Sequence, residues 1–128
     1  MAAAREGHVQ VVEQLLKAGA DISRVSKAGN NILHIAAGGG RWKLVNVLLD
    51  SGMDVNAENN IRMTPLMLAT ASGSKECVKI LLERGADVDI KNKMRETASS
   101  IAQARGYTEI DQLLQTSKSK SGLFEIFK

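Results

Sequence analysis

Two histidines, one cysteine and a run of three glycines are the residues through which this sequence could do chemistry. His34 or His8 could serve as a base or a metal ligand, but neither has a cysteine partner nearby to complete a ligand set. Cys77 could be a nucleophile. It falls instead on an apolar stripe with Val78, Leu81 and Leu82, where a thiol behaves as a small core hydrophobe. Gly38-Gly39-Gly40 would cradle a phosphate if it opened a helix and carried a Lys and a Ser or Thr, whereas here it ends one. No Ser, His and Asp fall at positions that would converge as a nucleophile, its base and an orienting acid. The sequence predicts no catalytic constellation, no metal, no cofactor and no small-molecule substrate.

Composition narrows the classes further. The chain has 128 residues, 44% apolar and 24% charged, as expected of one soluble globular domain. A single cysteine excludes an intramolecular disulfide framework. The net charge of +3 is too small to mark a nucleic-acid binder, and its excess lies in the second half of the chain. Trp42, Tyr107, Phe124 and Phe127 are the only aromatics, too few for a base-stacking platform or an aromatic cage. No apolar run approaches the roughly 18–20 residues of a membrane span. The start of the chain lacks the apolar core of a signal peptide. The expectation is an intracellular protein, of nucleus or cytoplasm, and a pI near 9.2 hints at acidic partners.

The organisation comes from a period. Gly7, Gly40, Gly73 and Gly106 are spaced by 33, as are Gly19, Gly52 and Gly85. Asp21, Asp54 and Asp87 keep the same spacing, and so do Leu15, Leu48, Leu81 and Leu114. Ala3, Ala36, Ala69 and Ala102 form a further column. Within each period the signals repeat. Thr64 reads as a helix N-cap with Pro65 at the first helical position. Gly73 ends that short helix, and a second, amphipathic helix follows. Gly85 closes the second helix, and an Asn-rich stretch such as 54–63 then projects as a turn or finger.

A short helix, a turn, a longer helix and a finger, with these boxes, resemble the ankyrin repeat. The motifs are Asn31-Ile32-Leu33-His34 and Thr64-Pro65-Leu66-Met67, with Gly19-Ala20-Asp21, Gly52-Met53-Asp54 and Gly85-Ala86-Asp87 between repeats. The resemblance covers residues 2–115. It implies an all-α solenoid of paired antiparallel helices with projecting β-turn fingers. The array spans 1–115: a partial repeat at 1–22, repeats at 26–58 and 59–91, and a degenerate capping repeat at 92–115. A polar linker with an apolar tail follows at 116–128. In such a box the histidine column bonds backbone between repeats, so His34 is assigned a structural role. His8, after Gly7, is assigned to a surface or helix-terminal contact.

Departures from the pattern carry further expectations. The finger glycine survives as Gly29 but is Arg62 and Arg95 in the next fingers, so those fingers are expected to adopt a different turn. Asp111 and Gln115 replace the apolar Val78 and Leu82, giving the last repeat the polar outer face of a cap. Met1 falls in the middle of a first helix, at the column of His34, which reads as a fragment of a longer protein. The tail cluster Leu123-Phe124-Glu125-Ile126-Phe127 either packs back on the last repeat or begins a following element or a partner motif.

A solenoid of this kind presents its fingers and first helices on a concave face. The columns assign Val25, Lys27, Ala28 and Asn30, then Glu58, Asn60, Ile61 and Met63, then Lys91, Lys93, Met94 and Glu96 to finger tips. Gly38, Gly39, Ala71, Ser72 and Arg105 face the groove. Ile61, Met63 and Met94 are apolar where fingers have little core to join, which points to an interface. Arg62, Lys93 and Arg95 supply positive charge, either as solvated fingers or toward an acidic partner. Gly38 and Gly39 reflect either drift at a helix end or a floor bare enough for close approach of a partner. Trp42 either packs between repeats or marks a contact on the side of the array. The expected function is a non-catalytic protein–protein interaction module of a larger regulatory or scaffold protein. Its partner is a protein segment with an apolar anchor, possibly acidic. The alternatives are a structural spacer between domains and a chromatin- or nucleic-acid-associated adaptor.

Overall fold

The computed structural model describes residues 25–126, with side chains through residue 117. The first partial repeat with His8, the reading of Met1 and the contacts of the 123–127 cluster lie outside what is described. Six helices follow one another: α1 (Ile32–Gly38), α2 (Trp42–Asp50), α3 (Pro65–Ala71), α4 (Lys75–Glu83), α5 (Ala98–Arg105) and α6 (Thr108–Ile126). There is no strand among the described residues.

The short helices begin where the sequence supplies a cap. Asn31 Oδ1 accepts the His34 amide at 3.0 Å, and His34 Nδ1 accepts the Asn31 amide at 3.1 Å. Thr64 Oγ1 accepts the Met67 amide at 3.3 Å, with Pro65 opening the helix. Thr97 and Ser100 cap each other reciprocally. Gly40, Gly73 and Gly106 then turn the chain with φ of 71°, 73° and 75°, in the left-handed region that glycine enters without strain.

Helices α1, α3 and α5 stack as one layer, and α2, α4 and α6 as a second. Leu33, Val45, Leu48, Leu66, Val78, Leu81 and Leu114 fill the space between the layers. Ala36, Ala69 and Ala102 are fully buried, and their small size lets neighbouring helices come close. Cys77 is buried in this core, and burial pushes its thiol up to about 11, far from reactive.

The outer face of the last helix pair exchanges apolar for polar groups. Ser99, Gln103, Asp111 and Gln115 occupy the columns of Leu66, Thr70, Val78 and Leu82. Ser99 Oγ donates to Asp111 Oδ1 at 2.6 Å, and Gln115 Nε2 donates to Ser99 Oγ at 3.0 Å. Hydrogen bonds to its carboxylate, from Ser99 first and then Gln115 and Gln103, hold Asp111 below the usual carboxylate range. The expected linker at 116–122 is instead helical, because α6 runs on to Ile126. No proline interrupts it, residues 108–121 hold no glycine, and lysine propagates a helix that is already nucleated.

Candidate functional site

Each finger is a four-residue turn closed by a backbone bond. The amides of Gly29, Arg62 and Arg95 each donate at 2.9 Å to the carbonyls of Ser26, Asn59 and Asn92. Arg62 and Arg95 have φ of 62° and 63°, beside 79° at Gly29. The expectation of a different turn is therefore corrected: arginine takes the glycine conformation. The reason lies three residues back. Asn59 Oδ1 accepts the amides of Ile61 and Met63 at 3.0 and 2.9 Å. Asn92 Oδ1 accepts those of Met94 and Glu96 at 2.8 and 3.0 Å. An Asx turn of this kind offsets the cost of a left-handed arginine.

The fingers are joined to one another. The Asn60 amide donates to the Ala28 carbonyl at 3.0 Å, and Asn60 Nδ2 to the Lys27 carbonyl at 2.7 Å. Asn59 Nδ2 reaches Asn30 Oδ1 at 2.9 Å. The Lys93 amide continues the row to the Ile61 carbonyl at 3.0 Å. Lys27, Ala28, Asn30 and Asn60 thus hold fingers in register through these atoms. His34 anchors the second finger from below, its Nε2 lying 2.8 Å from the Ala57 carbonyl and 3.1 Å from that of Met63. Burial keeps His34 below the ordinary histidine value, and these carbonyls oppose the shift. With Nε2 donating and Nδ1 accepting, the ring is neutral and both of its nitrogens are engaged with backbone groups.

On this row the exposed apolar residues are Ile61 and Met94, with 52% and 76% of their surface in solvent. Met63 is different. It is half-buried, packs against the core, and its sulfur accepts from Asn92 Nδ2 at 3.1 Å. The expectation of Met63 as an exposed anchor is corrected, because it occupies the base of the finger where the chain enters α3. Arg62 pairs with Glu58 at 3.4 Å, both exposed. Lys93 and Arg95 are exposed and have no carboxylate partner among the described residues.

The first helices supply the groove. Gly38 is exposed, and a Cβ there would meet only Leu68 Cβ at 3.8 Å. Gly39 caps α1 with φ −90°, which any residue adopts. Gly38 is therefore bare by composition, whereas a Cβ at Gly39 would crowd the Ile35 carbonyl oxygen at 3.2 Å. Ala71 is half-buried, and Ser72 is exposed with its hydroxyl on the Ala69 carbonyl at 3.0 Å. Arg105 ends α5, exposed. Met63, Ala71, Glu96, Ile101, Ala104 and Arg105 enclose a depression of about 290 Å³.

One residue of this face escaped the sequence reading. Ile35 is 61% exposed on α1, in the column of Leu68 and Ile101. Val25 is 62% exposed beside the first finger. The sequence held no signal for Ile35, because its column is apolar in all three repeats and Ile101 is buried. Trp42 lies away from the fingers at the start of α2, 41% exposed, with Lys43 Nζ 5.5 Å from its ring.

Among the described residues, no group of three His, Cys, Asp or Glu side chains could hold a metal ion. No helix there is long and apolar enough to cross a membrane. A comparison with curated proteins finds no match. A comparison with protein families matches residues 1–92 to ankyrin repeats, in three copies. That match spans most of the chain, and α5 with α6 extends the same two layers beyond it. The chain belongs to the ankyrin-repeat family.

Proposed function

We propose that this chain is a non-catalytic module that binds a segment of a partner protein across its second and third fingers and the groove below them. Ankyrin repeats are in general protein–protein interaction modules. The observation that carries the finer reading is the pair of apolar tips, Ile61 and Met94, exposed on fingers that hydrogen-bond to each other. A soluble array gains nothing from such residues in water, whereas a partner can bury them at no cost in ordering the fingers. A spacer between domains would have no use for this pattern. The module serves an intracellular regulatory or scaffold protein.

Affinity capture from cell extract tests the reading. The parent protein, an Ile61→Asp/Met94→Asp variant and a Trp42→Ala variant are compared at matched melting temperature. The double variant loses its specific partner and Trp42→Ala keeps it. The reverse pattern places binding on the side of the array and contradicts the reading.

A further inference from the structure

Several cations of the finger-and-groove face lack a carboxylate partner among the described residues. On the second-helix layer, Lys75 pairs with Glu109 at 2.7 Å, and Arg84 pairs with Asp50. Along the fingers and groove, Lys91, Lys93, Arg95 and Arg105 have no carboxylate partner among the described residues. Of the nearby carboxylates, Glu58 faces Arg62 and Glu96 Oε1 accepts from Asn92 Nδ2 at 3.0 Å, while Asp87 and Asp89 precede Lys91 in the chain. The three turns at 26–29, 59–62 and 92–95 contain Lys27, Arg62, Lys93 and Arg95 and no acid.

The depression under the third finger combines this charge with an apolar floor. Met63, Ala71, Ile101 and Ala104 supply its apolar lining, and Glu96 and Arg105 its charged lining. We propose that it seats one apolar side chain of an acidic protein segment, whose neighbouring carboxylate rests on Arg105. Further carboxylates of that segment lie over Lys93 and Arg95. This rests on the finger-and-groove reading and adds the chemistry of the partner. Glu96 repels a carboxylate on the finger side of the depression, which directs the partner's acid to Arg105. A nucleic-acid backbone would use the cations but leave the floor and the tips of Ile61 and Met94 uncovered.

The test is a random-peptide display library selected on the intact protein, with recovered peptides synthesised and titrated. Selected peptides are rich in Asp and Glu and carry an apolar residue beside an acid. Their affinity falls about ten-fold with Arg105→Glu, most at low salt. It falls comparably with Ala104→Phe, which fills the depression at an exposed position, and is unchanged by Trp42→Ala. Peptides that are neutral or basic, or that ignore Arg105→Glu yet are lost with Ile61→Asp and Met94→Asp, overturn this inference and leave the finger reading standing. Competition by polyuridylate as strong as that of the acidic peptide also overturns it. Enrichment of no peptide, or only of peptides lost with Trp42→Ala, overturns both.

Discussion

The Lys93 amide donates to the Ile61 carbonyl at 3.0 Å, so the finger carrying Ile61 and the finger carrying Met94 are held in one register. Side chains 33 residues apart in the sequence are thereby presented together, and a partner that meets one tip meets the other. The asparagines make this possible by holding the turns, and the turns carry consequences of their own.

Asn92→Ala should cost about 1–3 kcal/mol, because the amides of Met94 and Glu96 lose the oxygen that accepts them both. Arg95→Gly should leave stability within about 1 kcal/mol of the parent, since relief of the left-handed backbone offsets the added freedom of the unfolded chain. Arg95→Val should be destabilising by about 1–3 kcal/mol. Urea titrations of the three variants check this. Equal stability of Arg95→Val and the parent would show that the turn tolerates other geometry.

Leu48→Ala and Leu81→Ala should each cost about 2–5 kcal/mol, a large share of what so short an array possesses. Cys77→Ala removes a single sulfur from an equally buried site and should be milder. Thermal melts decide it. A Leu81→Ala midpoint within a degree or two of the parent would contradict the core described here.

The two finger methionines should separate. Met63→Ala, at a half-buried position against the core, lowers the melting temperature, whereas Met94→Ala, three-quarters exposed, does not. The binding effects reverse: Met94→Ala weakens partner binding directly. A melting temperature that falls with Met94→Ala and holds with Met63→Ala would invert the assignment.

Acid should loosen the array through His34. Burial depresses its native value below about 6.5, the ordinary histidine value, while the unfolded chain titrates near it. Between those two values the unfolded state holds more protons, so stability is full above 6.5 and is lost as pH falls below it. Met67 fills the same column one repeat on, so His34→Met retains an apolar fit there. The slope of stability against pH just below 6.5 should flatten in that variant, read by urea titration at several pH values. An unchanged slope would assign the acid sensitivity elsewhere.

The architecture was legible because one period places Ala36, Ala69 and Ala102, and Leu48, Leu81 and Leu114, in the core. The helix starts at Asn31, Thr64 and Thr97 were legible because a cap is a local event between residues three apart. The turn at Arg62 and Arg95 was not. Judging each arginine alone against glycine ignored the side chains of Asn59 and Asn92, which accept four backbone amides. Met63 was misplaced for a related reason: it sits one residue past the tip, where the chain already turns inward. Ile35 was missed because its column is apolar in every repeat, and only at the first described repeat does that residue stand in solvent. The helical course of 116–122 shows polar composition yielding to propagation from an established helix.

Amide hydrogen exchange, recorded with and without the partner recovered by affinity capture, tests the central claim most directly. Protection confined to residues 58–63, 91–96 and 101–106 is the predicted result, with the turns at 40–43 and 73–76 unchanged. Protection of those turns around Trp42, with the fingers exchanging as in the free protein, would contradict it.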